Sequence, residues 1–186
     1  PEGDFKEEAL ATMRGFEGSP IIVNLSTEAD RWGRQRGRVR LEWDEDLAVF
    51  LVKNGFAITD NGKADTLCNV NLLSIEDTAR QNQLGLWKNR AFRPVSAQDI
   101  ERLSASEGRF ILVEGKVRSV GDRQRRAYLN FGTVWSEDFT VVISKDIREA
   151  MKQRNLSLTS LAGKRVRVRG IAERWGGASI TLTAPD

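Results

Sequence analysis

The chain of 186 residues has no histidine, a single cysteine (Cys68), a single tyrosine (Tyr128) and four prolines. Without histidine, the Ser-His-Asp and Cys-His nucleophilic mechanisms are excluded, as is every histidine-bearing zinc site. One thiol can form neither an intramolecular disulfide nor a thiolate metal cluster. Acid–base chemistry is left to Asp, Glu, Lys and Tyr128, and any metal would be a hard cation on oxygen ligands. No apolar run approaches the roughly 20 residues a membrane-spanning helix needs, so no membrane partner is expected. Neither a signal peptide nor an initiating Met opens the chain. It starts at Pro1-Glu2, and the expectation is a processed product or a chain whose beginning has been cut away.

Charge of one sign is also in short supply, since the net charge is only +3. The balance is uneven, however. Residues 1–95 carry 13 Lys+Arg against 15 Asp+Glu, whereas residues 96–186 carry 16 against 11. A basic second half is compatible with a polyanionic partner, although an excess of this size is also common on proteins that bind none.

What the sequence has in abundance is arginine in one place. The stretch "DRWGRQRGRVRLEW" (30–43) holds five of them. Arg36, Arg38 and Arg40 recur at every second position, so on a strand they share one face, with Gly37, Val39 and Leu41 on the other. They line the wet face of a strand or form the basic rim of a binding groove. Trp32 and Trp43 are read as structural.

Around this stretch the pattern is mixed. Asp4-x-x-Glu7 has the form of a capping box, followed by Phe5, Ala9, Met13 and Phe16 at helical spacing. "IIVNLS" (21–26) reads as a buried strand and "RGRVRLEW" (36–43) as an alternating one. "DED" (44–46) turns the chain and caps a short helix, "LAVFLVKNG" (47–55), which Gly55 stops. A longer helix is expected from about Thr66 to Leu84, with Cys68 packed in its face and Glu76 and Arg80 paired at i,i+4. "NRAFRPVSAQD" (89–99) has a proline and no periodicity, and is read as a linker between a domain at 1–88 and another at 100–186.

The second half alternates more regularly. A short helix (about 97–104) precedes a long strand (109–120), then "RAYLNFG" (126–132) and "DFTVVIS" (138–144). Ser144 caps a helix at 145–155, and strands at 164–175 and 178–183 join across Gly176-Gly177. Three strands, a helix and two more strands is the order of an OB-fold barrel, in which Gly115 and Gly170 would let long strands bend.

The first half resembles the staphylococcal nuclease-like (thermonuclease) family. "DRWGR" (30–34) matches the family's Asp-[Arg/Lys]-[Tyr/Trp]-Gly-Arg, and "LVKNGFA" (51–57) its Leu-Val-x-x-Gly-Leu-Ala. "EDTARQNQLGLW" (76–87) matches Glu-x-x-Ala-Arg-x-x-x-x-Gly-Leu-Trp, and "PEGDFKEEA" is similar to its Pro-Glu loop and the helix after it. The resemblance implies an OB-type barrel that hydrolyses DNA or RNA phosphodiesters with calcium. A Glu assists the attacking water, arginines neutralise the phosphate and Asp carboxylates hold the metal. By this match Arg34 and Glu2 are the catalytic residues, with Gly33 aiming Arg34 and Asp30 bracing the turn. The family's metal-binding Asp residues lie upstream of the Pro-Glu pair, so no metal ligand is assigned in this chain. The first domain is expected to lack its first strands, and an N-terminal fragment or a second copy would complete it. Family relatives are often exported, so an exported or periplasmic location is implied.

The expected fold class is therefore α+β, mainly β with α. It comprises two OB-type barrel domains, the first an incomplete nuclease-like barrel with helices, the second similar to a companion domain of some bacterial relatives. Candidate nucleic-acid-binding residues are Arg36 and Arg38 in the first domain, and Tyr128, Trp135, Arg125 and Arg126 in the second. Aromatic rings that stack on bases, interleaved with cations that follow phosphates, are what single-strand binding requires. Two functions stand: a metal-dependent nuclease active when the upstream strands are present, and a non-catalytic tandem OB-fold protein that binds nucleic acid or scaffolds a protein partner.

Overall fold

Apolar residues at positions three and four apart produce the helices, and strict alternation produces the strands, in a computed structural model that describes residues 4–60, 72–134 and 136–184. The chain divides into two compact units, the second running from Phe92 onward. The class is α+β, and among the described residues there are five α-helices and two sheets. No helix among these residues is long and apolar enough to cross a membrane.

In the first unit, α1 (Asp4–Arg14) leads to an antiparallel ribbon of β1 (Ile22–Ala29) and β2 (Gln35–Arg40). The register sets Val23 opposite Val39 and Leu25 opposite Gly37, with Asn24 opposite Arg38 and Ile22 opposite Arg40. The alternation read from "RGRVR" is thus realised, with arginines on one face and apolar residues on the other. The strand expected to be buried is not: Val23 and Leu25 are 45% and 57% exposed. A two-stranded ribbon has only one neighbour per strand, and nothing described here covers its apolar face.

Helix α2 (Leu47–Lys53) starts where the sequence predicts, because one carboxylate oxygen of Asp46 accepts the amides of Ala48 and Val49 at 2.8 and 3.2 Å. The other oxygen of Asp46 takes Arg38 Nε, so β2 and the helix start share one acid. Helix α3 (Leu72–Gln81) lies inside the longer helix expected; residues 61–71, including Cys68, are outside the described residues. Glu76 of α3 is fully buried and accepts the Thr59 amide at 2.6 Å, while Arg80 reaches Asp77 at 3.3 Å. Leu41, Val52, Ala79, Leu86 and Trp87 are also buried.

Gly55 and Gly85 explain two of the glycines in the family motifs. Both have positive φ (71° and 48°), and a Cβ on either would stand 2.3 Å from a backbone oxygen, of Leu84 and of Gly55 respectively. The Leu86 amide donates to the Gly55 carbonyl at 2.9 Å, which fastens this approach. Two main chains in contact leave no room for a side chain.

The second unit is built on one sheet, ordered β3-β4-β8-β9-β7-β6-β5. Its elements are β3 (Val95–Ser96), α4 (Ile100–Ser104), β4 (Phe110–Lys116), β5 (Ser119–Asp122), β6 (Arg126–Asn130), β7 (Thr140–Ser144), α5 (Lys145–Gln153), β8 (Arg165–Trp175) and β9 (Gly177–Thr181). No closed barrel is found among the described residues. Even so, β4 and β5 are successive parts of one chain segment. At the bend between them, Val117 N–H donates to Lys164 O, whereas Arg118 N–H donates to Asn130 O, both at 2.8 Å. The segment changes its partner from the β8 side to the β6 side at that step, so the ladder starts and ends close along the same stretch. Inward residues of both parts meet in one core, with Val113, Val117, Leu129, Val141, Ile143 and Ile180 all at or near zero exposure.

Two expectations need correction here. Residues 89–99 are not a bare linker: Val95 pairs in parallel with Val113, Val95 and Ala97 are buried, and Asp99 caps α4. The apolar–polar–apolar order of Val95-Ser96-Ala97 suits a short edge strand, which the lack of longer periodicity concealed. Gly115 serves packing rather than bending alone. A Cβ there would lie 2.5 Å from the Ala97 methyl and 2.7 Å from the Phe131 ring.

Candidate functional site

The Asp30–Arg34 turn joins β1 to β2 and is held by one carboxylate. Asp30 Oδ1 accepts the amides of Trp32 and Arg34, each at 2.9 Å, and its Oδ2 accepts Arg34 Nε at 2.7 Å. The backbone closes the same loop, with Asp30 N–H donating to Arg34 O at 2.8 Å and Gly33 N–H to Asp30 O at 2.9 Å. Gly33 has φ 78°, which a side chain would disfavour, and this is why the motif has glycine before its arginine. The Arg34 amide is the main cause that holds the Asp30 carboxyl below its ordinary value of 3.8; desolvation opposes it, and the Arg34 side chain and the Trp32 amide add to the lowering.

Arg34 is oriented without being consumed. Only its Nε is engaged by Asp30, and its guanidinium lies 4.8 Å from the Trp32 ring, whose other neighbour is Arg31 at 3.9 Å. Both terminal nitrogens are left without a protein partner among the described residues, and these are the donors that form a two-pronged contact with a phosphate. The side chain is 72% exposed, so it stands out from the surface at the tip of the ribbon rather than in an enclosed groove.

The other candidates separate. Arg38 is taken up by Asp46 and is partly buried, which makes it a brace between β2 and α2. Burial pushes the Asp46 carboxyl up, but Arg38 and the two helix-start amides outweigh it and leave the group below 3.8. Arg36 is exposed and has no partner among the described residues. Glu2 and Trp135 lie outside the described residues.

In the second unit, Tyr128 stacks on Trp175, with ring centroids 5.7 Å apart and planes 20° from parallel. Arg125 and Arg126 sit at the β5–β6 tip, exposed, with no side-chain hydrogen bond or ion pair among the described residues. The tip itself is pinned by Arg148 of α5, which donates to Asp122 and to the carbonyls of Arg123 (2.9 Å) and Gln124 (3.3 Å). Trp175 and Arg148 were missed by sequence reasoning. Each acts on residues distant in the chain, and only the strand order brings them together.

Residues 2–89 match the profile of the family described as staphylococcal nuclease homologue. That part of the chain belongs to this family. No curated protein matches the chain. The staphylococcal nuclease homologue segment contains the Asp30–Arg34 turn, the Gly55–Gly85 approach and buried Glu76, so its motifs coincide with the tightest local geometry of the first unit. Calcium, which the resemblance implies, was tested against the donor set. Among the described residues no group of three or more Asp, Glu or Cys is placed to hold a metal. Asp30 and Asp46 already serve amides and arginines, and Glu76 is closed on a backbone amide. The described donors do not fit a calcium ion, and no chemical step is routed through one here.

Proposed function

We propose that the staphylococcal nuclease homologue segment recognises the phosphodiester backbone of nucleic acid through Arg34, as part of a nuclease-like activity. The observation that carries this reading is the Asp30–Arg34 turn. One acid fixes the arginine by Nε and leaves its two outer nitrogens facing solvent. A guanidinium so fixed needs little reorganisation to meet two phosphate oxygens, and it remains charged at any working pH. Hydrolysis with a divalent metal further requires oxygen ligands beyond the described set. The uncovered apolar face of β1–β2 is where an additional strand-bearing segment, or a second copy, would complete the sheet.

A second reading is favoured by the exposure of Arg34: a binding or scaffold protein that grips nucleic acid without turnover. One experiment separates the two. The full chain is incubated with labelled single-stranded DNA and RNA, with calcium and with chelator. Calcium-dependent cleavage that falls at least a hundredfold in Arg34→Ala supports the nuclease, by the scale of roughly 10²–10³ for a lost transition-state donor. Salt-sensitive binding with no cleavage supports the second reading. Neither cleavage nor binding would end both.

A further inference from the structure

Trp175 ends β8 and is 49% exposed, yet it is not a loose surface ring. It lies flat on Tyr128 of β6, although β9 and β7 stand between their strands. The row beneath them is polar but closed from solvent, with Thr140 7% and Ser179 1% exposed. Asn130 is opposite Thr140, Thr140 is beside Ser179, and Thr181 is beside Val142, which pairs with Tyr128. Gly121, opposite Tyr128, adds no side chain to obstruct the face. The Thr140 hydroxyl is buried and has no hydrogen-bond partner.

Charge is arranged around the ring pair unequally. Arg126 is two residues from Tyr128 on the same face of β6, and Arg123 and Arg125 project from the tip that Arg148 fastens. The carboxylate of this face, Glu173, sits two residues before Trp175 and accepts the Thr181 hydroxyl at 2.8 Å. An anionic chain crossing here is drawn toward the arginine tip and kept from the Glu173 side.

We propose that the surface made by the Trp175–Tyr128 ring pair and the β5–β6 tip binds single-stranded nucleic acid, with a base stacked on the exposed side of Trp175 and the phosphates following Arg126 and the tip. The proposal rests on the reading that this chain engages nucleic acid, but uses a different unit from Arg34. A single strand is the fitting occupant because its bases offer free π-faces, which a duplex keeps inside its own stack.

The test is a fluorescence-anisotropy titration of the full chain with a labelled single-stranded oligonucleotide, with chelator present, at several salt concentrations. Trp175→Ala weakens binding roughly tenfold or more, as expected for loss of a stacked base, and Trp175→Phe retains most of the affinity. Arg126→Glu, which leaves both rings in place, also weakens binding and makes it less steep in salt. Unchanged affinity in both Trp175→Ala and Arg126→Glu overturns the proposal, as does equal preference for duplex. If Arg34→Ala alone abolishes binding, this platform fails while the phosphate reading of the first unit stands. If the Trp175 and Arg126 variants lose binding and no variant or wild type cleaves, the platform stands and the nuclease reading fails.

Discussion

Asp46 serves two elements with one carboxylate. One oxygen starts α2 and the other anchors Arg38 of β2. Replacing it with Ala removes an N-cap, worth about 1 kcal/mol, and leaves Arg38 without its acid, so a loss of roughly 1–3 kcal/mol is expected in urea denaturation at neutral pH. The sign of its pH dependence follows from its lowered carboxyl. A group that is more acidic in the folded state stabilises the fold above its ordinary value of 3.8, and that contribution is lost as pH falls through the lower folded value. Asp46→Asn should therefore be less stable than wild type at neutral pH, with the gap narrowing below 3.8. A gap that stays constant into acid would show that the ionised carboxylate is not the source. The sequence revealed half of this: an acid before an apolar run reads as a cap, whereas the partner on β2 depends on a fold-back that no local pattern encodes.

Between elements, the decisive contact of the first unit is backbone on backbone. Gly55, just after α2, and Gly85, opening the turn at Gly85–Lys88, approach so closely that either Cβ would overlap a carbonyl oxygen. Gly55→Ala and Gly85→Ala should each cost more than about 2 kcal/mol, since a positive-φ penalty of order 1 kcal/mol adds to a steric clash with main chain that cannot rotate away. Thermal unfolding of the two variants checks this, with Gly18→Ala, which meets nothing within 4 Å, as a control for backbone preference alone. The sequence marked Gly55 as a helix stop and ended the longer helix just before Gly85. It did not signal that they face each other, because a stop is a local property and the approach joins the end of α2 to the segment after α3. The strands were more legible. Alternation in "RGRVR" and the glycine turn before "ASIT" gave β2 and the β8–β9 hairpin directly, while the short β3 escaped because two residues are too few for a period to register.

At the scale of the whole molecule, the two units differ in how completely they satisfy themselves. The second has a continuous buried cluster from Val95 to Ile180, helix caps at Asp99 and Ser144, and a sheet in which β4 and β5 are parts of one bent segment. A fragment beginning at Phe92 should accordingly fold alone and unfold in one cooperative transition, followed by circular dichroism. A broad, non-cooperative melt would mean that its core needs the rest of the chain. The candidate sites follow the same division. Arg34 was legible because its turn is local, with acid, glycine and arginine within five residues. The Tyr128–Trp175 pair was only half legible, since its second ring arrives from a strand three places away in the sheet.

The β1–β2 ribbon has a practical outcome of its own. Valine and leucine side chains lie open on one side, and rows of amide hydrogens and carbonyls run along margins that have no neighbouring strand among the described residues. Such a ribbon behaves as an adhesive strip. Exposed margins of this kind favour self-association at high concentration, so an apparent oligomer seen at high loading must be re-weighed after dilution before any stoichiometry is believed.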